Sequence, residues 1–163
     1  RKARILSLGT LVTLRPDPVR IAEEYATADV ISRGRLEIGF VKSGGSESAS
    51  SNVSMVDNGE RYWEAIDLIS KALTSHDGPF SWEGKFFTHA HVNIWPRPYQ
   101  SPRPEFWAAT SDLPTCAELG RRGIINTLLF GGAGSGPVFV GLALLAARVL
   151  CASDAEWEDG PPA

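Results

Sequence analysis

The sequence has 163 residues, sixteen lysines and arginines against nineteen aspartates and glutamates, and 43% hydrophobic residues. This composition is that of one ordinary globular domain, and its near-neutral charge lacks the basic footprint that nucleic-acid binding requires. The length also excludes a complete eight-unit (β/α) barrel, which takes about 200 to 250 residues. Any strand and helix units in this chain would therefore form only part of such a barrel.

The first forty residues predict a strand, a helix and a second strand. Residues 3–12 form a β-branched and leucine run without helical period, which indicates a buried strand. Asp17 is a natural N-cap with Pro18 at the first helical position, and Gly34 stands where a helix ends. Residues 35–41 then form the second strand. This order within about thirty residues is typical of a parallel βαβ unit.

The next eighty residues continue the alternation with one interruption. Residues 42–55 are a long polar stretch, and Asp57 with Glu60 resembles a capping box at the start of a helix. Further elements are predicted as a hairpin over 80–87, an extended piece over 89–95, a proline-rich link over 96–104, a strand over 105–110, a helix over 115–122 and a strand over 124–130. We therefore predict an α/β fold with an inserted β-hairpin.

The composition changes near residue 131. Residues 131–136 have the composition of a flexible glycine linker, and residues 138–150 are apolar almost throughout. That apolar stretch is too short for a bilayer, which takes about 20 residues, so we expect a buried helix and no membrane association. We predict that residues 131–163 form a linker, an apolar helix and an acidic tail, separate from a domain over residues 1–130.

Seven segments, in three groups, carry a resemblance to a known family. They are Ile5-Leu-Ser-Leu-Gly-Thr-Leu-Val with Asp17-Pro-Val-Arg and Asp29-Val-Ile-Ser-Arg-Gly-Arg, then Glu60-Arg-Tyr-Trp-Glu-Ala-Ile with Phe80-Ser-Trp-Glu-Gly-Lys-Phe-Phe, then Pro96-x-Pro-x-Gln100 leading to Phe106-Trp-Ala-Ala-Thr. Together and in this order, they resemble the bacterial luciferase-like flavin-dependent monooxygenases. The resemblance covers residues 3–130.

The resemblance implies a partial (β/α)₈ TIM barrel of about four parallel strands with an inserted hairpin. It implies FMN, or alternatively the deazaflavin coenzyme F420, at the carboxyl ends of the strands. Reduced flavin, molecular oxygen and a small organic substrate would be the partners, and one oxygen atom would enter the substrate. The alternative is a non-catalytic truncated remnant, or a flavin-binding partner subunit without turnover of its own.

The resemblance also implies cofactor-binding residues. The strand end Thr10, Leu11 and Val12 would support the flavin ring, with a non-proline cis peptide near Leu11-Val12. Lys42 stands where luciferases carry an arginine directed at the flavin phosphate. Ser111 and Thr115 occupy the family's loop and helix start, where hydroxyls and free N–H groups suit a phosphate.

Further residues of the sequence have looser interpretations. Arg61 is a looser candidate for a second cationic contact, and residues 43–48 are interpreted as a mobile loop over the pocket. Each site also has a plainer interpretation, because a lysine after a strand is usually solvated and Ser-Asp-x-x-Thr usually caps a helix. His89 and His91 would share one face of a strand, but without further ligands nearby we expect no metal site.

The chain is also expected to be incomplete as a barrel. It begins at what would be the third strand, so the family's first two strands and its catalytic histidine have no counterpart, and no catalytic residue is assigned. Ser7, Gly9, Glu37 and Gly39 would point into the barrel if their apolar neighbours face the helices. Open strand edges predict a homo- or hetero-oligomer. Two cysteines without a secretory signal predict a cytoplasmic protein.

Overall fold

The computed structural model describes residues 3–110 and 112–127. The chain divides into two compact units, Arg1–Glu105 and Phe106–Ala163. The first unit contains β1 (Ile5–Leu11), α1 (Pro18–Ser32), β2 (Leu36–Val41), α2 (Gly45–Ser50), α3 (Asn58–Thr74), β3 (Phe80–Glu83) and β4 (Thr88–Val92). The second contains β5 (Phe106–Ala109), α4 (Leu113–Arg121) and β6 (Ile125–Thr127). The boundary predicted near residue 131, with the linker and apolar helix beyond it, lies outside the described residues.

The predicted βαβ unit is present. The Asp17 carboxylate accepts a hydrogen bond from the backbone N–H of Arg20 at 3.1 Å, and Pro18 takes the first helical position of α1. The helix ends in left-handed conformation at Arg33, with φ 58°, and Gly34 follows at φ 73°. A side chain at Gly34 would also meet the Tyr99 ring at 2.8 Å. Glycine is therefore required there both by the positive φ and by the close approach of Tyr99. β1 and β2 then pair in parallel.

In the β1–β2 pair, one residue lies on the opposite face from the one predicted. Residues paired across parallel strands share a face, and Ser7 is paired with the fully buried Ile38. The Tyr25 hydroxyl of α1 lies 3.4 Å from the Ser7 hydroxyl. Ser7 therefore faces the helices, and its predicted position inside the barrel is wrong. Glu37 and Gly39 alternate with the buried apolar residues Leu36, Ile38 and Phe40 and lie on the opposite face, as expected.

The β1 backbone explains this correction. Its pairing with β2 shifts between Ser7 and Thr10, so simple alternation does not carry across that interval. A side chain added at Gly9 would meet the Val41 side chain at 2.5 Å, so Gly9 lies beside Val41. Thr10 is paired with Phe40 and Leu11 with Val41. After the shift, Leu11 is therefore the β1 residue on the face away from α1.

Helix α3 holds the inserted hairpin through one carboxylate. Glu64 accepts hydrogen bonds from the Trp82 indole N–H at 3.2 Å and from the backbone N–H groups of Phe86 and Phe87, each at 3.0 Å. A Cβ at Gly84 would lie 1.8 Å from a Glu64 carboxylate oxygen, so only glycine lets the turn approach the helix this closely. The hairpin is thus fastened to α3 by backbone donors that its own strands leave unpaired.

Two predicted details of this region are wrong. The Asp57 side chain makes no capping hydrogen bond to α3. It binds the Lys85 ammonium group at 3.1 Å, and Glu60 binds the same group at 2.7 Å. The hairpin predicted over residues 80–87 extends to Val92, because its second strand begins at Thr88, after the segment that contacts Glu64.

A buried carboxylate fixes the proline-rich link against α1. Asp29 is fully buried and accepts hydrogen bonds from the Gln100 backbone N–H at 2.9 Å and from the Gln100 side-chain amide at 2.8 Å. The same amide donates to the Leu36 carbonyl at 2.7 Å. Asp29 and Gln100 belong to two of the segments that carry the family resemblance, and their role in this structure is to join helix, strand and link.

The second unit repeats the strand, helix, strand order. β5 and β6 pair in parallel, with Ala108 opposite Asn126. The Asn126 side chain donates to the Cys116 sulfur of α4 at 3.1 Å and accepts from the Thr110 backbone N–H at 3.2 Å. The α/β fold class with four parallel strands and one antiparallel hairpin is therefore confirmed. Among the described residues, no helix is long and apolar enough to cross a membrane.

Candidate functional site

The carboxyl ends of β1 and β2 lie side by side. Leu11 is paired with Val41, and both strands run in the same direction, so the segments that follow them leave the sheet at one edge. In α/β proteins with parallel strands, ligands bind at this edge because the connecting loops converge there. The edge formed by residues 11–15 and 41–44 is called the strand-end edge below.

A cluster of buried polar side chains underlies the strand-end edge. The Ser43 hydroxyl lies 2.8 Å from the Thr13 hydroxyl and 2.8 Å from the Ser48 hydroxyl. The Asn58 side-chain amide donates to the Ser43 carbonyl at 3.1 Å. Thr13 and Ser48 are fully buried, and Ser43 and Asn58 are 5% and 4% exposed. This cluster, called the hydroxyl cluster, joins the ends of both strands to α2 and to the first turn of α3.

Arg61 adds a second connection one turn further along α3. Its Nε donates to the Thr13 carbonyl at 2.9 Å and its Nη2 to the Arg15 carbonyl at 3.4 Å. The guanidinium also stacks on the Phe87 ring, 4.5 Å from its centroid. Burial lowers the pKa of the Arg61 guanidinium, while the nearby Glu64 carboxylate opposes that shift. Arg61 therefore fixes the segment after β1 and keeps its charge at the strand-end edge.

Lys42 directly follows β2 and its side chain is exposed. It makes no ion pair or hydrogen bond with any residue in the described part of the chain. Its backbone is nevertheless held on both sides, by the pairing of Val41 with Leu11 and by the burial of Ser43. Lys42 thus presents an ammonium group from a fixed point of the strand-end edge, where an anion could be bound.

The three residues predicted to support a flavin ring have different surroundings. The Thr10 hydroxyl is hydrogen-bonded to the Tyr25 hydroxyl of α1, on the helix side of β1. Val12 is fully buried, and its backbone N–H donates to the Thr10 carbonyl at 3.0 Å. Leu11 is partly exposed on the face away from α1. Of the three, Leu11 alone offers a side chain to a ligand, and Thr10 and Val12 contribute through the backbone that they shape.

The non-proline cis peptide is present in β1, three residues before its predicted place. It joins Leu8 and Gly9, whereas the peptide between Leu11 and Val12 is not among the cis bonds of the described residues. The expectation of a cis bond in this strand is confirmed, and its position near Leu11-Val12 is wrong.

The phosphate site predicted after β5 has capping geometry here. The Thr115 backbone N–H donates to the Asp112 carboxylate at 3.0 Å, and the Thr115 hydroxyl donates to the same oxygen at 2.5 Å. Asp112 is therefore the N-cap of α4. A phosphate would have to replace this carboxylate to reach Thr115. Ser111, the other predicted residue of this site, lies outside the described residues.

Two further interpretations are corrected. Residues 43–48 do not form an open loop, because α2 begins at Gly45 and the hydroxyls of Ser43 and Ser48 are buried. His89 and His91 do not follow the regular alternation of a strand, since His91 has φ 55°. No group of three or more potential metal ligands occurs among residues 3–110 and 112–127.

The residues missed by sequence reasoning are Thr13, Ser43, Ser48 and Asn58. Small polar side chains between glycines are typical of an exposed loop, and the sequence offers no signal that these hydroxyls are buried together.

Similarity to known proteins identifies the class. The family described as luciferase-like monooxygenase matches residues 2–134. The chain therefore belongs to the luciferase-like monooxygenase family, and its fold is part of that family's TIM barrel.

Among relatives, the oxygenase component of the flavin-dependent trigonelline monooxygenase of Acinetobacter baylyi is 31% identical over 116 residues, covering 68% of this chain and 31% of the relative. The oxygenating constituent of 3,6-diketocamphane monooxygenase from the CAM plasmid of Pseudomonas putida, solved with FMN, has a TM-score of 0.68 at 16% identity over 81% of this chain and 40% of that one. An F420-dependent secondary alcohol dehydrogenase, solved with an F420-acetone adduct, has a TM-score of 0.68 at 17% identity over 78% of this chain and 39% of that one. The chain spans about a third of the length of the curated relatives that it matches.

Proposed function

We propose that this chain forms part of the flavin site of a flavin-dependent monooxygenase that inserts one atom of molecular oxygen into a small organic substrate. The observation that carries the proposal is the exposed ammonium group of Lys42 at the strand-end edge, in a chain of the luciferase-like family. The named relative is the oxygenase component of a flavin-dependent monooxygenase, which supports the same reaction class. Because the chain spans about a third of such relatives, the proposal concerns a contribution to the site.

The residues at the strand-end edge fit a flavin phosphate. A phosphate requires positive charge and hydrogen-bond donors, and Lys42 supplies both without a competing carboxylate among the described residues. The start of α4 fits less well, because Asp112 already occupies the Thr115 donors. We therefore assign the phosphate contact to Lys42 first, and keep Ser111 and Thr115 as secondary candidates. FMN and F420 both carry a phosphate group. One of the two similar structures contains FMN, and the other contains an F420-acetone adduct.

The protein's own contribution is binding and orientation. When bound, reduced flavin supplies the electrons with which oxygen is activated. Lys42 would bind the phosphate end, and Leu11 would contact the ring from the face away from α1. Arg61 would hold the segment after β1 in place through the carbonyls of Thr13 and Arg15. No residue of this chain is assigned a proton-transfer role.

The experiment is a flavin titration of the purified chain. Saturable quenching of FMN or F420 fluorescence is the expected result. Lys42→Gln should weaken FMN binding about tenfold, as expected for the loss of one charge-assisted contact. Lys85→Gln is the matched control, because Lys85 is an exposed lysine whose partners are Asp57 and Glu60 on the hairpin side. A chain that retains neither flavin, or a Lys42 variant that binds like the Lys85 variant, would contradict the assignment.

The second candidate is a flavin-binding partner subunit without turnover of its own. It differs from the first candidate in turnover alone, because Lys42 and Leu11 would contact the flavin in either case. Stopped-flow mixing of flavin-loaded, reduced chain with oxygen separates the two. Oxidation of the reduced flavin at a rate that differs from free reduced FMN indicates that the chain shapes the reaction, whereas an unchanged rate with flavin still bound indicates a binding subunit.

A further inference from the structure

The buried hydroxyl of Ser43 lies immediately after Lys42 in the chain, at the centre of the hydroxyl cluster. We propose that Ser43 is a positioning residue that fixes Lys42 toward the phosphate of a bound flavin. This inference rests on the proposed function, because it presupposes that Lys42 contacts the phosphate. It adds a residue that acts through Lys42 and does not itself touch the cofactor.

The hydrogen bonding of Ser43 is saturated. A serine hydroxyl has one donor and two acceptor positions, and here it faces the hydroxyls of Thr13 and Ser48 and the amide of Asn58. The Ser43 backbone is held as well, since its N–H faces the Thr13 hydroxyl at 3.4 Å and its carbonyl accepts from Asn58 at 3.1 Å. Ser43 is therefore fixed through side chain and backbone at once.

The position of Lys42 depends on this anchor. Its preceding neighbour Val41 is fixed by the strand, and its following neighbour Ser43 is fixed by the cluster. The lysine side chain is long, flexible and without an ion pair among the described residues, so its starting point and direction are set by the backbone alone. A shift of the Ser43 segment would move the ammonium group away from a phosphate held elsewhere in the site.

The cluster is too polar to be explained by packing. A buried hydroxyl group costs free energy unless it is hydrogen-bonded, so each one requires a partner in a defined place. An apolar side chain could fill the same space without that requirement. The hydroxyl cluster instead joins four segments, namely the ends of β1 and β2, α2 and the start of α3. Such a fully partnered network specifies one arrangement, which is what a phosphate contact made by a flexible lysine requires.

The test compares FMN with riboflavin, which shares the ring system and ribityl chain but lacks the phosphate. The ratio of their dissociation constants isolates the phosphate contact, because a merely structural defect weakens both flavins together. We expect Lys42→Gln to lower the FMN preference about tenfold, and Ser43→Ala to lower it about three- to tenfold. The double variant should resemble Lys42→Gln alone, because both changes remove the same contact.

Controls and a milder variant make each result decisive. Ser50→Ala removes an exposed hydroxyl of α2, the helix that also carries Ser48. Among the described residues this hydroxyl bonds the Glu47 carbonyl, and its loss should leave the ratio unchanged. If Ser43→Ala fails to fold by circular dichroism, Ser48→Ala removes one partner of Ser43 and should give a smaller loss of FMN preference in the same direction.

The outcomes separate the inference from the proposed function. If Lys42→Gln lowers the FMN preference while Ser43→Ala and Ser48→Ala match Ser50→Ala, the positioning role is wrong and the phosphate contact stands. If Lys42→Gln leaves the ratio unchanged, or the chain binds neither flavin, both are overturned. Equal weakening of FMN and riboflavin by Ser43→Ala also overturns the positioning role, because it identifies a structural defect alone.

Discussion

Lys42 is a lysine at a position where the family resemblance predicts an arginine. An arginine there could form two parallel hydrogen bonds to a phosphate, whereas lysine acts as a point charge. The exposed position of Lys42 leaves room for the larger guanidinium. We therefore expect Lys42→Arg to tighten FMN binding about three- to tenfold, with riboflavin binding unchanged, as measured by fluorescence titration. Equal binding by lysine and arginine would show that the phosphate does not reach this residue.

The start of α4 gives a second prediction for a single residue. Asp112→Ala removes the N-cap and should lower the free energy of unfolding by about 1 kcal/mol, measured by chemical denaturation. It also removes the carboxylate that holds both donors of Thr115. If Thr115 contacts the flavin phosphate, this variant should bind FMN more tightly than the parent chain. Unchanged FMN binding would assign Thr115 to capping alone. Asp77→Ala serves as a control, because it also removes one surface carboxylate.

Residues with a local signature were predictable from the sequence. Asp17 and Pro18 were identified as a helix start because capping chemistry depends on neighbours three residues away. Lys42 was predicted as a phosphate contact because the family resemblance places an arginine at this strand end. Ser43 and Asn58 were missed, because fifteen residues separate them and their contact exists only in the folded chain, where the start of α3 meets the residue after Lys42.

At the level of elements, the contact between α3 and the hairpin depends on one glycine. A Cβ at Gly84 would overlap the Glu64 carboxylate, which would then lose its bonds to the backbone N–H groups of Phe86 and Phe87. Gly84→Ala should therefore lower the free energy of unfolding by about 1 to 3 kcal/mol, measured by urea denaturation.

Gly59→Ala is the matched control for that substitution. Gly59 lies inside α3, and a Cβ there meets no atom within 4 Å. Alanine should therefore raise the free energy of unfolding by about 0.5 to 1 kcal/mol, because it restricts the unfolded chain. If both glycine variants shift stability in the same direction, the close approach of Glu64 to the turn does not hold the hairpin.

Element types were predictable here, and their connections were not. The change from helical to alternating period identified a hairpin after α3. The D-x-x-E pattern at Asp57 and Glu60 predicted a cap, but both carboxylates bind Lys85, which lies 25 residues or more further along the chain. The distant Lys85 ammonium group binds these carboxylates in place of the local backbone N–H groups. The sequence pattern does not show which of the two partners is preferred.

At the level of the whole molecule, the β1–β2 pair has one covered and one partly open face. Ile38 and Phe40 are fully buried, whereas Leu8 and Leu11 are only partly buried. Partly open apolar surface binds the dye ANS. We expect the chain to enhance ANS fluorescence severalfold, and FMN to displace part of the signal because Leu11 lies at the proposed site.

A surface variant tests that expectation. Ile31 is 77% exposed on α1, so Ile31→Ser removes apolar surface away from the strand-end edge. The FMN-displaceable part of the ANS signal should be the same in this variant and in the parent chain. An ANS signal that FMN leaves unchanged would contradict an apolar ligand face beside Leu11.

The sequence by itself determined the α/β class, the βαβ unit, the inserted hairpin and the family, because these follow from hydrophobic period, capping residues and ordered local segments. It also placed Lys42 at a strand end. Only the tertiary structure decided that Ser7 faces the helices, that Asp112 occupies the Thr115 donors and that the Ser43 hydroxyl is buried with those of Thr13 and Ser48. The physical reason is that each of these depends on which face of a strand or which side-chain donor meets a partner, and that choice is made by packing and pairing between elements.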